Sequence, residues 1–272
     1  MISNQGKKNA MSAIDQKIKS FQSVLLSLES GLIALSGGVD SSVLLALAAE
    51  TEGFSAQAAT VHSAAHPMSE LNAAAYLAER YDIPHHIIKI NELDDPLIRK
   101  NDALRCYHCK FLRYSKLLDL ARSLGLKTVL DGSHADDMAS DRPGINAIRE
   151  LSIQTPLQDA GFTKDEIRKI ALAKAIPVWN NPATACFYTR IPQNEPLELD
   201  RIRRVSLGEK ILIDSGFKNV RLRDHGSIAR IELPPEMIEK FITHPTQHKL
   251  LKELKNLGYR HICVDLDGYR SK

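Results

Sequence analysis

Six consecutive residues, Ser36-Gly37-Gly38-Val39-Asp40-Ser41, constrain this chain more than any other stretch. They lie between two apolar runs, Leu32-Ile33-Ala34-Leu35 and Val43-Leu44-Leu45-Ala46-Leu47-Ala48. That order reads as strand, glycine turn, helix. Two glycines let the backbone turn sharply with its N–H groups aimed inward. The helix that follows adds its own unpaired N–H groups and the positive end of its dipole. The product is a cradle for phosphate. It is not a Walker A loop, because the lysine of G-x-x-x-x-G-K-[ST] is missing.

The same alternation runs through the first two thirds of the chain. Leu32–Leu35, Ala56–Val61, His86–Ile90 and Thr128–Leu130 read as strands, with a further short strand over Pro177–Trp179. Ser41–Glu50, Ser69–Tyr81, Lys110–Leu124 and Lys164–Ala175 read as helices. The expected class is α/β, a parallel sheet with helices on both faces. Ligands then gather at the carboxyl ends of the strands, so the loops carrying Ser36, His62, Asp131 and Asn180 share one rim. Residues 1–19 are polar and charged and read as a flexible lead-in. After Pro192 the rhythm changes. Gln193-Asn194-Glu195-Pro196 reads as a linker and Leu199–Ser215 as a helix. Val220–Arg223 and Ala229–Leu233 read as a hairpin turning at Asp224-His225-Gly226. Helical pieces at Glu236–Phe241 and Gln247–Leu257 and a strand at Ile262–Leu266 complete the chain. The expected organisation is a lead-in (1–19), a phosphate-binding domain (20–192) and a small α+β domain (193–272). The last is too small to bury much alone and packs on the first domain or on a neighbouring subunit.

Composition excludes several classes. A 43% hydrophobic content supports a sizeable core, and 36 basic against 33 acidic residues leave a net charge of only +3. That balance gives no broad nucleic-acid surface, and basic residues are not interleaved with aromatics as in single-strand binders. No apolar stretch approaches a membrane span and no signal peptide is recognisable, so the expected compartment is the cytoplasm.

Three of the four cysteines stand in polar, loop-like settings. Arg105-Cys106-Tyr107-His108-Cys109-Lys110 precedes a helix, and Cys186 follows Asn181-Pro182-Ala183-Thr184-Ala185. A helix N-terminus with flanking Arg105 and Lys110 favours thiolate. A C-x-x-C pair alone is ambiguous between a redox dithiol, zinc and an iron–sulfur centre, and structural zinc needs a fourth ligand such as His108. Three cysteines would leave one corner of a [4Fe–4S] cube open for an exogenous ligand such as hydrosulfide. Cys186 acting alone is the further option. Cys263 alternates with Ile262 and Val264 and reads as a structural strand residue.

The loop at 36–41 resembles the pyrophosphate-binding loop of the PP-loop ATP pyrophosphatases, which convert ATP to AMP and pyrophosphate. Over nearly the whole chain the sequence is similar to one family within them, the ATP-dependent sulfur transferases of the LarE type. The motifs are A-L-S-G-G-V-D-S-S-V-L-L (34–45), N-D-A-L-R-C-Y-H-C-K (101–110), D-G-S-H-A-D-D (131–137) and D-R-P-G (141–144). T-P-L (155–157), N-P-A-T-A-C-F-Y-T-R-I-P (181–192), G-F-K-N-V-R-L-R-D-H-G (216–226) and A-R-I-E (229–232) continue the match. The resemblance implies an adenine nucleotide alpha hydrolase-like fold. It also implies adenylation of a pyridinium dicarboxylate mononucleotide, replacement of AMP by sulfur, and a role in making a nickel-pincer nucleotide. Some relatives sacrifice a cysteine sulfur; others carry sulfur on a [4Fe–4S] cluster held by three cysteines. Cys106, Cys109 and Cys186 place this chain with the latter, although Cys186 also matches the sacrificed position. Thr189, Gln193 and Asn194 depart from the family pattern of serine and Tyr-Gly.

The residues take roles accordingly. Ser36, Gly37, Gly38, Asp40, Ser41 and Ser42 are expected to hold pyrophosphate, with Asp40 acting through Mg²⁺. Asp131, Asp136 and Asp137 would orient Mg²⁺, the adenylate or a basic loop, or simply cap an acidic turn. His62 would touch ATP. Arg142, Arg149 and Arg190 are candidates for phosphate or carboxylate contacts, since the guanidinium is a planar fork. Thr189, Arg221, Arg223 and Arg230 would serve the substrate, with Arg221 and Arg223 on one strand face binding its phosphate. Glu209 would orient a base or metal, and Trp179 is expected in the core. The implied cofactors are ATP, Mg²⁺ and a [4Fe–4S] cluster. The implied partners are a small-molecule nucleotide, further copies of the chain as a homo-oligomer and, transiently, other cofactor-maturation proteins, with no nucleic acid and no membrane. A tRNA thiolase, an amide-forming relative using ammonia and a non-catalytic ATP-binding scaffold are the competing readings.

Overall fold

The computed structural model describes residues 4–139, 143–180 and 186–269. In chain order, α1 (Asn4–Leu28) leads to β1 (Ser30–Ala34), α2 (Val39–Ala49), β2 (Ser55–His62), α3 (Met68–Arg80) and β3 (His85–Lys89). Then come α4 (Pro96–Arg99), α5 (Arg105–Ser123), β4 (Thr128–Leu130), α6 (Pro143–Glu150), α7 (Pro156–Asp159) and α8 (Lys164–Ala173). The remainder comprises α9 (Leu199–Asp214), β5 (Arg221–His225), β6 (Ile228–Glu232), α10 (Pro235–Ile242), α11 (Gln247–Asn256) and β7 (His261–Val264).

These elements form two units. The first combines Met1–His62, Met68–Ile90 and Cys106–Asn181; the second combines Ser63–Pro67, Asn91–Arg105 and Pro182–Lys272. The first is built on a parallel sheet in the order β3-β2-β1-β4. Alternate strand residues point to opposite faces. Ile33, Ala58 and Leu130 therefore join a core with Phe21 and Leu25 of α1, Leu44 and Leu47 of α2, Ala74 and Leu77 of α3, and Ile167 and Ile170 of α8. Leu32, Ala59 and Val129 face the other way, onto Tyr114, Leu117 and Ala121 of α5 and Ile148 of α6. Helices thus cover both faces, as expected for the class.

The expected lead-in over residues 1–19 is instead helical from Asn4. Ile14, Ile18, Phe21, Leu25 and Leu28 recur at helical spacing and pack on the first core. The polar residues between them mask this stripe in the sequence. Lys17 also anchors the helix, its Nζ donating to Gly161 O at 2.7 Å and to Glu166 at 2.7 Å. Trp179 packs against the same core. The strand expected at Pro177–Trp179 is absent: Ile176 and Trp179 donate to Ala171 O and Ile176 O, so the chain leaves α8 through turns.

The second unit carries a mixed sheet in the order β5-β6-β7, with β5 and β6 antiparallel and β6 and β7 parallel. His225 pairs with Ile228, so the hairpin turns at Gly226-Ser227 and not at Asp224. Asp224 is a fully buried strand residue that accepts from Arg201, Arg204 and Tyr259. Residues 193–196 are pinned within this unit, unlike a linker. Asn194 N donates to Asn101 O at 2.9 Å, and Asn101 Nδ2 donates to the carbonyls of Pro192 and Glu195 at 2.8 and 2.9 Å. Cys263, expected as a structural strand residue, is exposed on the edge strand β7. Among the described residues, no helix is long and apolar enough to cross a membrane.

Phe21 is wholly buried and meets Phe162 edge-to-face with centroids 6.5 Å apart. Phe21→Ala should cost about 3–5 kcal/mol of stability, read from urea unfolding. An unchanged midpoint would mean that α1 is a dispensable leader.

Candidate nucleotide and sulfur-transfer site

In the first unit, β1 delivers the chain into a glycine turn, and α2 starts at Val39 with Gly38 as its N-cap. Gly37 adopts φ 82°, and a Cβ there would lie 2.2 Å from the Glu70 carbonyl oxygen. Gly132, just past β4, is also too close for a side chain: its Cβ would meet Ser41 N at 2.9 Å. Both approaches are to backbone, so no rotamer change makes room for a side chain. The hydroxyls brace the turn. Ser42 Oγ donates to Gly38 O at 2.7 Å and Ser41 Oγ to the same carbonyl at 3.1 Å. Ser36 N donates to Ser41 Oγ at 3.2 Å, and Gly38 N to Ser36 Oγ at 3.3 Å. Ser36 and Gly38 remain exposed, whereas Ser41 and Ser42 are buried. The Ser41 and Ser42 hydroxyls therefore shape the loop through one carbonyl.

Asp40, on the first turn of α2, receives the Lys164 ammonium at 2.5 and 2.6 Å. Its carboxylate also lies 3.9 Å from His134 Nε2. His134 is buried, 3.4 Å from Asp137 through Nε2, and its Nδ1 has no hydrogen-bond partner among the described residues. The other acids of this rim brace it. Asp131 accepts from the Tyr114 hydroxyl, from Ser133 Oγ and from Ser133 N. Burial, then the Asp131 charge, hold the Tyr114 phenol well above its usual pKa, so it stays the donor. Asp136 accepts from Lys164 N at 2.7 Å, capping α8, and Asp137 accepts from His134 N at 3.1 Å. All three acids of this turn thus accept hydrogen bonds from the chain itself. His62 ends β2, where Ile90 N donates to its carbonyl. Arg149 is exposed on α6, and Arg142 lies outside the described residues.

The second unit gathers most of the remaining candidates. Cys186 precedes a 3-10 turn over Phe187–Arg190. Thr189 ties back to it, with Oγ1 donating to Cys186 O at 2.8 Å. Arg190 is buried and reaches Glu209 with Nε at 2.6 Å and Thr189 Oγ1 with Nη1 at 2.9 Å. Glu209 Oε1 also accepts from Leu222 N at 3.0 Å, joining α9 to β5. Glu209 thus orients Arg190. Arg223 is gripped by Glu232 and donates to Thr189 O at 2.6 Å. Arg230 shares Glu232 and sits 3.5 Å from Asp265. Arg221 differs: its partner is the Tyr269 hydroxyl at 2.8 Å, with the guanidinium stacked 3.8 Å from that ring's centroid. Burial chiefly, reinforced by Arg190 and Arg223 and opposed by Tyr269 and Glu232, lowers the Arg221 pKa. Among the described residues it makes no ion pair with a carboxylate.

The C-x-x-C segment is part of the first unit. Helix α5 starts at Arg105, so Cys106 and Cys109 lie within it, one turn apart on one face, and not before it as expected. Cys106 is exposed, and Cys109 and Cys186 are half-buried. Cys186 belongs to the second unit. Among the described residues, no three His, Cys, Asp or Glu side chains are grouped to hold a metal.

Sequence reasoning missed Lys164, His134, Tyr114, Glu232 and Tyr269. Only Lys164 carried a local signal: it follows Thr163 in a T-x-x-E capping box, where the first helical turn favours acids over lysine.

Residues 25–175 match the asparagine synthase family. An uncharacterized protein of Synechocystis sp. is 34% identical over 95% of this chain and 96% of its own length. The pyridinium-3,5-bisthiocarboxylic acid mononucleotide synthase of Lactiplantibacillus plantarum is 33% identical over 96% of this chain and 94% of its own length. A tRNA-specific 2-thiouridylase of Rickettsia massiliae is 25% identical over 72% of this chain and 63% of its own. With its glycine loop, parallel sheet and full-length likeness to the synthase, the chain belongs to the LarE-type family of ATP-dependent sulfur-transferring enzymes within the PP-loop ATP pyrophosphatases.

Proposed function

We propose that the chain adenylates a carboxylate of a pyridinium dicarboxylate mononucleotide and replaces the adenylate with sulfur, toward a nickel-pincer nucleotide. The observation that carries the reading is Arg221. It is a half-buried guanidinium near Arg190 and Arg223, in the unit that holds Cys186, and no described carboxylate pairs with it. A substrate phosphate suits that excess positive charge. In the first half-reaction a substrate carboxylate oxygen attacks the α-phosphorus of ATP. The new O–P bond forms as the α–β bridging bond breaks, and pyrophosphate departs with the electron pair. The glycine loop and the N-terminus of α2 hold that leaving group through N–H groups fixed beforehand. In the second, a sulfur nucleophile attacks the acyl carbon and AMP leaves.

Mg²⁺ would be held through Asp40, which offers the hard oxygen ligands this ion prefers, and would neutralise developing phosphate charge. For the sulfur, Cys106, Cys109 and Cys186 fit a [4Fe–4S] cube in donor type and number, and such a cube would present one open iron to hydrosulfide. A second reading is favoured by the link between Cys186 and the arginine-bearing turn through Thr189. There the Cys186 thiolate itself attacks the acyl carbon. Loss of its Cα proton and cleavage of Cβ–S then leave a thiocarboxylate product and dehydroalanine.

Two measurements test these readings. Arg221→Ala should weaken mononucleotide binding roughly 10- to 200-fold, the value of one charge-assisted contact, with little change for ATP. The reverse pattern would remove the phosphate assignment. Anaerobically purified protein should contain iron and acid-labile sulfide in equal amounts and keep the mass of Cys186 after one turnover with sulfide supplied. Active, iron-free protein that loses the elements of H₂S at Cys186 would establish the sacrificial route instead.

A further inference from the structure

Arg221 is held in a way that its neighbours are not. In the same unit Arg190 is paired with Glu209, Arg223 with Glu232, and Arg201 and Arg204 with Asp224. Arg221 is instead clamped by a neutral side chain from near the end of the chain. The Tyr269 hydroxyl accepts from its Nη2 at 2.8 Å, and the guanidinium carbon lies 3.8 Å from the centroid of the same ring. The backbone that carries this ring is itself fixed. After β7, Asp265 N donates to Ile231 O at 2.9 Å, Gly268 N to Asp265 O at 3.1 Å and Tyr269 N to Leu233 O at 2.6 Å. The strap 265–269 is thus laced along β6 and just past it. Gly268 permits the approach: it adopts φ 69°, and a Cβ there would lie 2.7 Å from Leu233 O. A carboxylate would fix the guanidinium and cancel its charge. An aromatic face fixes its plane and leaves the charge and the remaining N–H donors for a ligand.

We propose that Tyr269 is a positioning residue for the substrate phosphate, acting through Arg221. Its ring holds the guanidinium plane before the mononucleotide arrives, so the N–H fork meets the phosphate oxygens already ordered. An arginine without such a clamp has several rotatable bonds, and immobilising it on binding costs affinity. The inference rests on the phosphate assignment made for Arg221 above and adds the residue that preorganises it. The strap 265–269 thereby becomes part of the mononucleotide site, although Tyr269 does not itself bind the ligand.

Titration calorimetry of the full chain with the pyridinium dicarboxylate mononucleotide, and separately with ATP, tests it. Tyr269→Leu should bind the mononucleotide roughly 3- to 10-fold more weakly, the effect of one side chain left to be ordered on binding, with ATP unchanged. Tyr269→Phe, which keeps the stack, should restore most of that affinity. The decisive readout is a double-mutant cycle with Arg221→Ala. Once the guanidinium is gone, Tyr269→Leu should have no further effect on mononucleotide affinity. An equal loss in both backgrounds would overturn the proposal, because a general loosening of the unit does not depend on Arg221. Unchanged or tighter binding by Tyr269→Leu would overturn it too, the latter by showing that the strap competes with the ligand. So would Tyr269→Phe binding as weakly as Tyr269→Leu. Should Tyr269→Leu fail to fold, Tyr269→Met is read the same way. All of these results leave the phosphate assignment intact as long as Arg221→Ala alone weakens mononucleotide binding. If it does not, the assignment and this inference fall together.

Discussion

Backbone wedged against backbone at the start of α2 is the constraint on which the nucleotide site depends. Gly37 runs against the Glu70 carbonyl of α3, and Gly132 against Ser41 and Asp40. Any side chain at either position would push the loop away from α3 or from the strand end beyond β4. With both contacts in place, the N–H groups at the start of α2 are aimed before a ligand arrives. Preorganised donors of this kind stabilise developing charge without reorganisation at the moment of reaction. The hydroxyls of Ser41 and Ser42, both directed at Gly38 O, and the Tyr114–Asp131–Ser133 contacts hold the two loops in that relation.

The second unit achieves rigidity by a different means. Its arginines are held mainly by buried or half-buried carboxylates: Arg190 by Glu209, Arg223 by Glu232, Arg201 and Arg204 by Asp224. Removing one partner of such a pair strands a charge and costs about 3–5 kcal/mol, so the network is costly to rearrange. Burial alone would raise the Asp224 pKa, but hydrogen bonds from Gly226, Arg201 and Arg204 outweigh it and hold the carboxyl below its usual range. Against this neutralised background Arg221 stands out, packed on Tyr269 and lacking a described carboxylate partner.

Much of this was legible in the sequence. Apolar runs bounded by glycine located β1, α2, β2, α3, β3, α5, β4 and α8 to within a few residues, because strand and helix periods are local properties. The pattern also located the glycine loop between β1 and α2. Elements whose identity depends on distant partners were harder to read. Helix α1 looks like a polar leader until Ile14, Ile18 and Phe21 find the sheet core. Asp224 looks like a turn residue until Arg201 and Arg204, 23 and 20 residues earlier, pair with it in the core of the unit. The Asp40–Lys164 pair spans 124 residues, and no local period announces it. Residues 63–67 and 91–105 join the C-terminal unit through contacts such as Asn101 with Pro192 and Glu195, so a boundary drawn from composition alone at 192 missed them.

Oxygen tracing tests the central claim, that a substrate carboxylate attacks the α-phosphorus of ATP held at the glycine loop, most directly. The pyridinium dicarboxylate mononucleotide is labelled with ¹⁸O in its carboxylates and turned over with unlabelled ATP, and the products are analysed by mass spectrometry. Attack at the α-phosphorus followed by displacement at the acyl carbon predicts one labelled oxygen in each AMP and none in pyrophosphate. Label in inorganic phosphate alongside ADP, or AMP free of label, would contradict the account.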